Sequence, residues 1–316
     1  MNTVDFGAAQ LRLGGDIDAV AVSADGCFVA LGSGIGDETS IWKLPECVQV
    51  ARCREASRSL AFSPDGATVW LAYAGVHRWD FGGDAPIEFR SSNPFGGDIG
   101  APIALSPDGR ILAAGRKHAE RREVVILDAS NGRELGAVGH DAEYLDALSF
   151  SHDGHFLAFG GGTAAVVIDV SRPRSVYRKV APPSPGRSVV AVYSPVEDLL
   201  AVATAGSEQI AFFAGDAPAR IVELPFELES FGFTADGANL WVRRYWTGSI
   251  ALVDVAQGAV LADEIAPGGV RSFVVARPGG GLVATSFQQA RLVERGASGT
   301  VAAVPGHACA VTSVAV

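Results

Sequence analysis

A four-residue phrase recurs along this chain at intervals too regular for chance. Ser23-Ala-Asp-Gly26 returns as Ser63-Pro-Asp-Gly66, Ser106-Pro-Asp-Gly109, Ser151-His-Asp-Gly154 and Thr234-Ala-Asp-Gly237. Degenerate copies stand at Ser194-Pro-Val-Glu197 and Arg277-Pro-Gly-Gly280. The closing positions 26, 66, 109, 154, 197, 237 and 280 lie 40, 43, 45, 43, 40 and 43 residues apart. A period of this size marks a supersecondary unit that cannot bury its apolar face alone and must stack on copies of itself.

Each copy sits in the same local grammar. A short apolar run precedes it (Ala19–Val22, Leu60–Phe62, Leu148–Phe150, Phe231–Phe233), and a second follows, as in Phe28–Leu31 and Thr68–Leu71. Runs this short, rich in Val, Phe and Trp and bounded by turn residues, read as buried strands. The phrase between them reads as a tight hairpin: Asp accepts from nearby backbone N–H groups, Gly takes a positive φ, and Pro presets the turn. Farther on comes a third strand ending in a bulky residue and usually an acid: Trp79-Asp80, Leu127-Asp128, Ile168-Asp169, Val253-Asp254 and, less well matched, Val293-Glu294. Trp42-Lys43 and Phe213-Ala214 keep the bulk and lose the acid, and fourth strands follow at Val48–Ala51 and Ile221–Leu224. The expected fold is all-β, a seven-bladed β-propeller with four antiparallel strands per blade. It forms one domain over residues 1–316, with units near 18–57, 58–100, 101–144, 145–187, 188–228, 229–270 and 271–304. The termini are expected to close the ring: Ala9–Leu13 at the outer edge beside Val301–Val304, and Val311–Val316 as a further innermost strand.

Gly139-His140 stands about ten residues ahead of Ser151, Gly306-His307 repeats the pair, and Trp79-Asp80 ends a third strand. On these residues the chain resembles the WD-repeat family over nearly its whole length. The sixth unit, from Phe233 through Leu240-Trp-Val242 to Ile250–Asp254, is also similar to the YVTN type of propeller repeat. The resemblance implies that His140 ties neighbouring strands through hydrogen bonds, and that the protein is a bacterial sensor or scaffold within a larger complex.

A formal net charge of −10 argues against wholesale binding to nucleic acid or an anionic membrane, which calls for a basic footprint. No run approaches 18 apolar residues, and the N-terminus lacks the basic and apolar regions of a secretory signal. Cys27, Cys47, Cys53 and Cys309 are sparse and form no C-x-x-C pair, which fits free thiols in a reducing, cytoplasmic setting. Arginine far outnumbers lysine, a compositional pointer to a GC-rich bacterial genome.

Catalytic and cofactor signatures are missing. G-x-S-x-G, G-x-x-x-x-G-K-[ST], H-E-x-x-H and the D-x-[DN]-x-[DN]-G calcium loop do not occur, so neither a cofactor nor a metal is expected. His152 and His155 flank a hairpin and supply only two ligands, too few for zinc. The informative feature is where arginine meets aromatics. Between the second and third strands, the third unit carries Arg116, Arg121 and Arg122, and the sixth carries Arg243, Tyr245 and Trp246. These turns open on the end that also carries the segments leading into the inner strands, where Arg58, Tyr144, Arg187 and Arg271 stand. Arg, Tyr and Trp dominate interface hot spots, so the expected partner is a protein or an acidic peptide, bound at Arg116, Arg121, Arg122, Tyr144, Arg187, Arg243, Tyr245, Trp246 and Arg271. Two other readings use the same face. One is a lactonase-like enzyme with His118, Glu120, Glu143, Glu229, Arg187 and Arg271 gathered at the centre. The other is recognition of a phosphorylated ligand or nucleic acid by the arginine loops.

Overall fold

The computed structural model describes residues 17–34, 38–44, 46, 48–73, 75–83, 86–91, 102–118, 121–142, 145, 147–186, 188–216, 218–266, 273–276, 282–286, 289–293 and 313–314. Residues 88–91, 118, 121 and everything from 263 onward are described by backbone alone. The described residues form strands, turns and bends, with no helix among them.

The strands fall into antiparallel sheets that follow the repeat. The first unit pairs Ala19–Val22, Phe28–Ser33, Glu38–Lys43 and Val48–Cys53 in chain order. The second does so with Ser59–Phe62, Thr68–Ala72, Gly75–Asp80 and Ile87–Ser91. The third uses Ile103–Leu105, Ile111–His118, Arg121–Asp128 and Glu134–His140. The fourth uses Leu148–Phe150, Phe156–Gly160, Ala165–Asp169 and Val176–Val180. The fifth and sixth units merge into one sheet of 7 strands because Pro218–Phe233 runs unbroken for 16 residues. Its first part pairs with Ser207–Phe213 and its last part with Asn239–Arg244. The last sheet contributes Phe273–Ala276, Leu282–Ser286 and Gln289–Val293. Ser313–Val314 adds in parallel to the inner edge of Ala19–Val22, while Ala9–Leu13 and Val301–Val304 lie outside the described residues.

The recurring phrase makes the same turn each time. Ser106 Oγ donates to Asp108 Oδ1 at 2.6 Å and accepts from the Ile111 amide at 2.9 Å, and Asp108 accepts from the Arg110 amide at 3.0 Å. Ser23, Ser63, Ser151 and Thr234 repeat the set. The closing glycines of these five turns hold φ between 69° and 73°. At Gly237 a side chain would also meet Val196 Cγ2 at 2.5 Å, because each turn packs against its predecessor. Both facts favour glycine there.

Successive innermost strands lie side by side. Ala19–Val22 adjoins Ser59–Phe62, which adjoins Ile103–Leu105, and so on through Val189–Tyr193 and Pro218–Phe233 to Phe273–Ala276, which adjoins Ala19–Val22. Hydroxyls tie two of these neighbours: the Ile103 amide donates to Ser59 Oγ and the Tyr193 amide to Ser149 Oγ, each at 2.9 Å. The core therefore lies between sheets. Trp70, Ile103, Leu112 and Val125 form one such layer, and Phe212, Phe231, Phe233 and Leu240 another. Each fully buried Leu or Phe contributes about 2 kcal/mol.

The outer rim has its own contacts. In most described seams the turn between third and fourth strands leans on the preceding unit's outer strand. At the first seam Phe81 instead packs edge-on against Phe28, at the start of the preceding unit's second strand, with ring centroids 5.5 Å apart. Pro173 O presses on Gly136, where any side chain would collide. Arg178 donates to Gly215 O and, at 3.0 Å, to Asp216 Oδ1, and Arg220 donates to Val255 O and Ala256 O. Gly136, Arg178 and Arg220 occupy one register position, opposite Ile126, Val167 and Phe212 respectively.

Candidate functional site

In each antiparallel unit the turn between second and third strands lies at the same end as the segment leading into an inner strand. Direct hydrogen bonds join the two. The Tyr245 amide donates to Glu227 O at 2.9 Å, the Ser57 amide to Ser33 O at 3.1 Å, and Arg122 Nη1 to Ala142 O at 2.9 Å.

The sixth unit builds the most exposed feature of this end. Trp246 is 79% exposed, the highest value among the exposed large apolar side chains described. It is nonetheless held: its Nε1 donates to Glu227 Oε2 at 2.8 Å, and Tyr245 meets it edge-on at 5.1 Å between ring centroids. Arg244 stacks over the Phe226 ring at 4.2 Å, which brings a guanidinium to the same patch. Arg243 differs. It is buried at 8% exposure, and its Nη1 lies 2.9 Å from Glu229 Oε1. Burial lowers its pKa and the Glu229 carboxylate opposes that shift. Asn239–Val242 and Arg243 are all buried in the strand, and Trp246 reaches solvent because it stands in the turn beyond the strand's end at Arg244.

In the third unit the arginines meet carboxylates of their own sheet. Arg116 is bonded to Glu123 Oε2 at 2.7 Å through Nη2 and to Glu134 Oε2 at 2.8 Å through Nη1. Burial opposes its charge, but the two carboxylates outweigh that and hold its pKa above the ordinary value. Arg122 is half-buried, and Arg121 is described by backbone alone, opposite His118. Tyr144, Arg187 and Arg271 lie outside the described residues. His140 packs on Phe159 at 5.8 Å between ring centroids, and burial, aided by Arg122, lowers its pKa. Its Nδ1 finds no hydrogen-bond partner among the described residues, so the strand-tying bond expected there is not seen at that atom.

Elsewhere at this end Arg58 stacks on Tyr73 at 5.0 Å, and Arg52 pairs with the buried Glu38. Burial raises the Glu38 pKa and Arg52 counters it. The residues that sequence reasoning missed are Phe226, Glu227 and Arg244. The sequence signalled against them: Pro225 interrupts the run between Ile221–Leu224 and Phe231–Phe233, yet one strand continues through it and carries Phe226 and Glu227 up to the Tyr245–Trp246 turn. Among the described residues no group of three or more His, Cys, Asp or Glu is arranged to hold a metal ion. No helix of the described residues is long and apolar enough to cross a membrane.

No family model matches the chain, and no curated protein matches it. Solved structures do. The Myceliophteria thermophila Cps50 (Swd1) β-propeller domain superposes with a TM-score of 0.66 and 17% identity, covering 90% of this chain and 96% of that one. Kuenenia stuttgartiensis hydrazine synthase superposes with a TM-score of 0.62 and 16% identity, covering 75% of this chain and 83% of that one. Identities this low speak to fold alone. The fold is a β-propeller.

Proposed function

We propose that this chain is a protein-interaction scaffold: a seven-bladed propeller of four-stranded blades, WD-repeat-like and of bacterial type. It holds a protein or acidic peptide on the end that carries Trp246. Seven evenly spaced phrases and an unbroken succession of neighbouring inner strands support the blade count. The reading is non-catalytic and cytoplasmic, supported by the missing catalytic signatures and the sparse cysteines. The observation that carries it is a tryptophan exposed at 79% yet anchored by Glu227 and Tyr245. Such a side chain offers a large contact area at small entropic cost, which is what interface hot spots require. Tyr245 and Arg244 border it in this reading with Arg243 as a brace in the same unit, and Arg122 and Arg116 stand at the same end on the third unit.

A photo-crosslinking amino acid placed at Trp246, and separately at Val48 on an outer strand, tests this in native extract. The reading expects one dominant protein adduct from position 246 and none from 48. Equal adducts from both would contradict it. Capture that collapses between about 50 and 200 mM salt would point to a phosphorylated ligand or nucleic acid instead.

A further inference from the structure

We infer that residues 313–316 are a spare inner strand able to take the place of Ala19–Val22 in the first unit's sheet, an exchange that frees Ala19–Val22 while the ring stays closed. Two independent observations meet here. In sequence, Ser313-Val-Ala-Val316 matches Ala19-Val-Ala-Val22 at three of four positions, and the four residues ahead of each other recurring phrase match it at no more than two. In structure, the two copies run side by side in the same direction and in register, Ala19 opposite Ser313 and Val20 opposite Val314. Ser313–Val314 also touches Ser59–Phe62 and Phe273–Ala276, the inner strands that flank Ala19–Val22. The copy therefore lies one strand spacing, about 4.8 Å, from the place it would enter.

The slot suits either copy. Ala19, Val20 and Ala21 are buried at 2% exposure or less and stand opposite Gly32, Leu31 and Ala30. Exchange keeps valine and alanine at the second and third of these positions and puts serine for alanine at the first. Serine is already native at that position in the second unit, where Ser59 opens the inner strand and its Oγ accepts from the Ile103 amide at 2.9 Å. What holds the resident strand is the residue before it. Asp18 is buried, its amide donates to Gly32 O, and its Oδ2 accepts from the Gly34 amide, each at 2.6 Å. The spare copy carries Thr312 at that point and brings no carboxylate. A hydrogen bond to a carboxylate is stronger than one between neutral groups, so one side chain tips the exchange towards the resident strand.

The test uses the full chain with Leu31→Cys and Val314→Cys, oxidised mildly, the disulfide being mapped by mass spectrometry. In the resident arrangement these positions are two strand spacings apart, about 9.5 Å and too far for a disulfide, and on exchange they face each other. The bond should form within one chain, slowly with Asp18 in place and about tenfold faster with Asp18→Thr. A second measurement needs no added cysteine. Ala21→Pro breaks the resident strand, yet melting should fall by no more than about 3 °C because the copy steps in. Ala315→Pro alone should cost no more than about 2 °C, and the two together at least about 8 °C. No 31–314 disulfide, no acceleration by Asp18→Thr, a bond formed only between chains, or melting losses that simply add would each overturn the inference. All of these outcomes leave the reading of the Trp246 surface as it stands.

Discussion

The third and sixth units carry arginine-rich turns at the same place in the repeat, and they use them differently. Arg116 is clasped by Glu123 and Glu134 on its own sheet and remains 30% exposed at the side chain. Arg243 sinks to 8% exposure against Glu229, and the chain then lifts Trp246 into solvent one turn later. A run of arginines is therefore no measure of a binding surface by itself. Which guanidinium becomes a brace depends on the carboxylate its neighbouring strand brings up, and the residue a partner can reach stands in the turn beyond the strand.

Breaking the braces should show the difference most clearly. Arg243→Ala leaves Glu229 without its ion pair and opens a buried space, so it should cost about 2–3 kcal/mol in denaturant unfolding. Arg116→Ala acts at a more exposed and solvent-screened pair, so about 1 kcal/mol is expected, shrinking with added salt. A larger loss at Arg116 than at Arg243 would reverse the comparison. Trp246→Ala should move stability by no more than about 0.5 kcal/mol, as for a surface residue away from packing.

The smallest expected effect is acidic. The Ser106 hydroxyl, ahead of the Arg110 amide, holds Asp108 below the usual carboxylate range. A depressed folded-state pKa gives stability that is complete above the unfolded value of about 4 and is lost as pH falls through the folded value. Asp108→Asn should therefore flatten the acid limb of a melting-temperature profile below about pH 4. An unchanged limb would remove that turn from the account.

The turns were the most legible part of the chain, because their chemistry is local. Ser, Asp and Gly within four residues supply every partner the hairpin needs, and the flanking valines and phenylalanines follow. The merged strand Pro218–Phe233 was less so: the outer strand Ile221–Leu224 and the inner strand Phe231–Phe233 were both foreseen, but not that nothing would break the chain between them. Burial of Arg243 was not readable at all, since it depends on Glu229 arriving from that merged strand and on the register that sets Ser230 opposite Arg243.

The most direct test pairs two readings on one variant, partner retention from native extract and melting temperature for Trp246→Ala beside the wild type. The account predicts retention reduced by at least about tenfold with melting shifted by no more than about 1 °C. Full retention, or a melting temperature that drops as far as it does for Arg243→Ala, would contradict it.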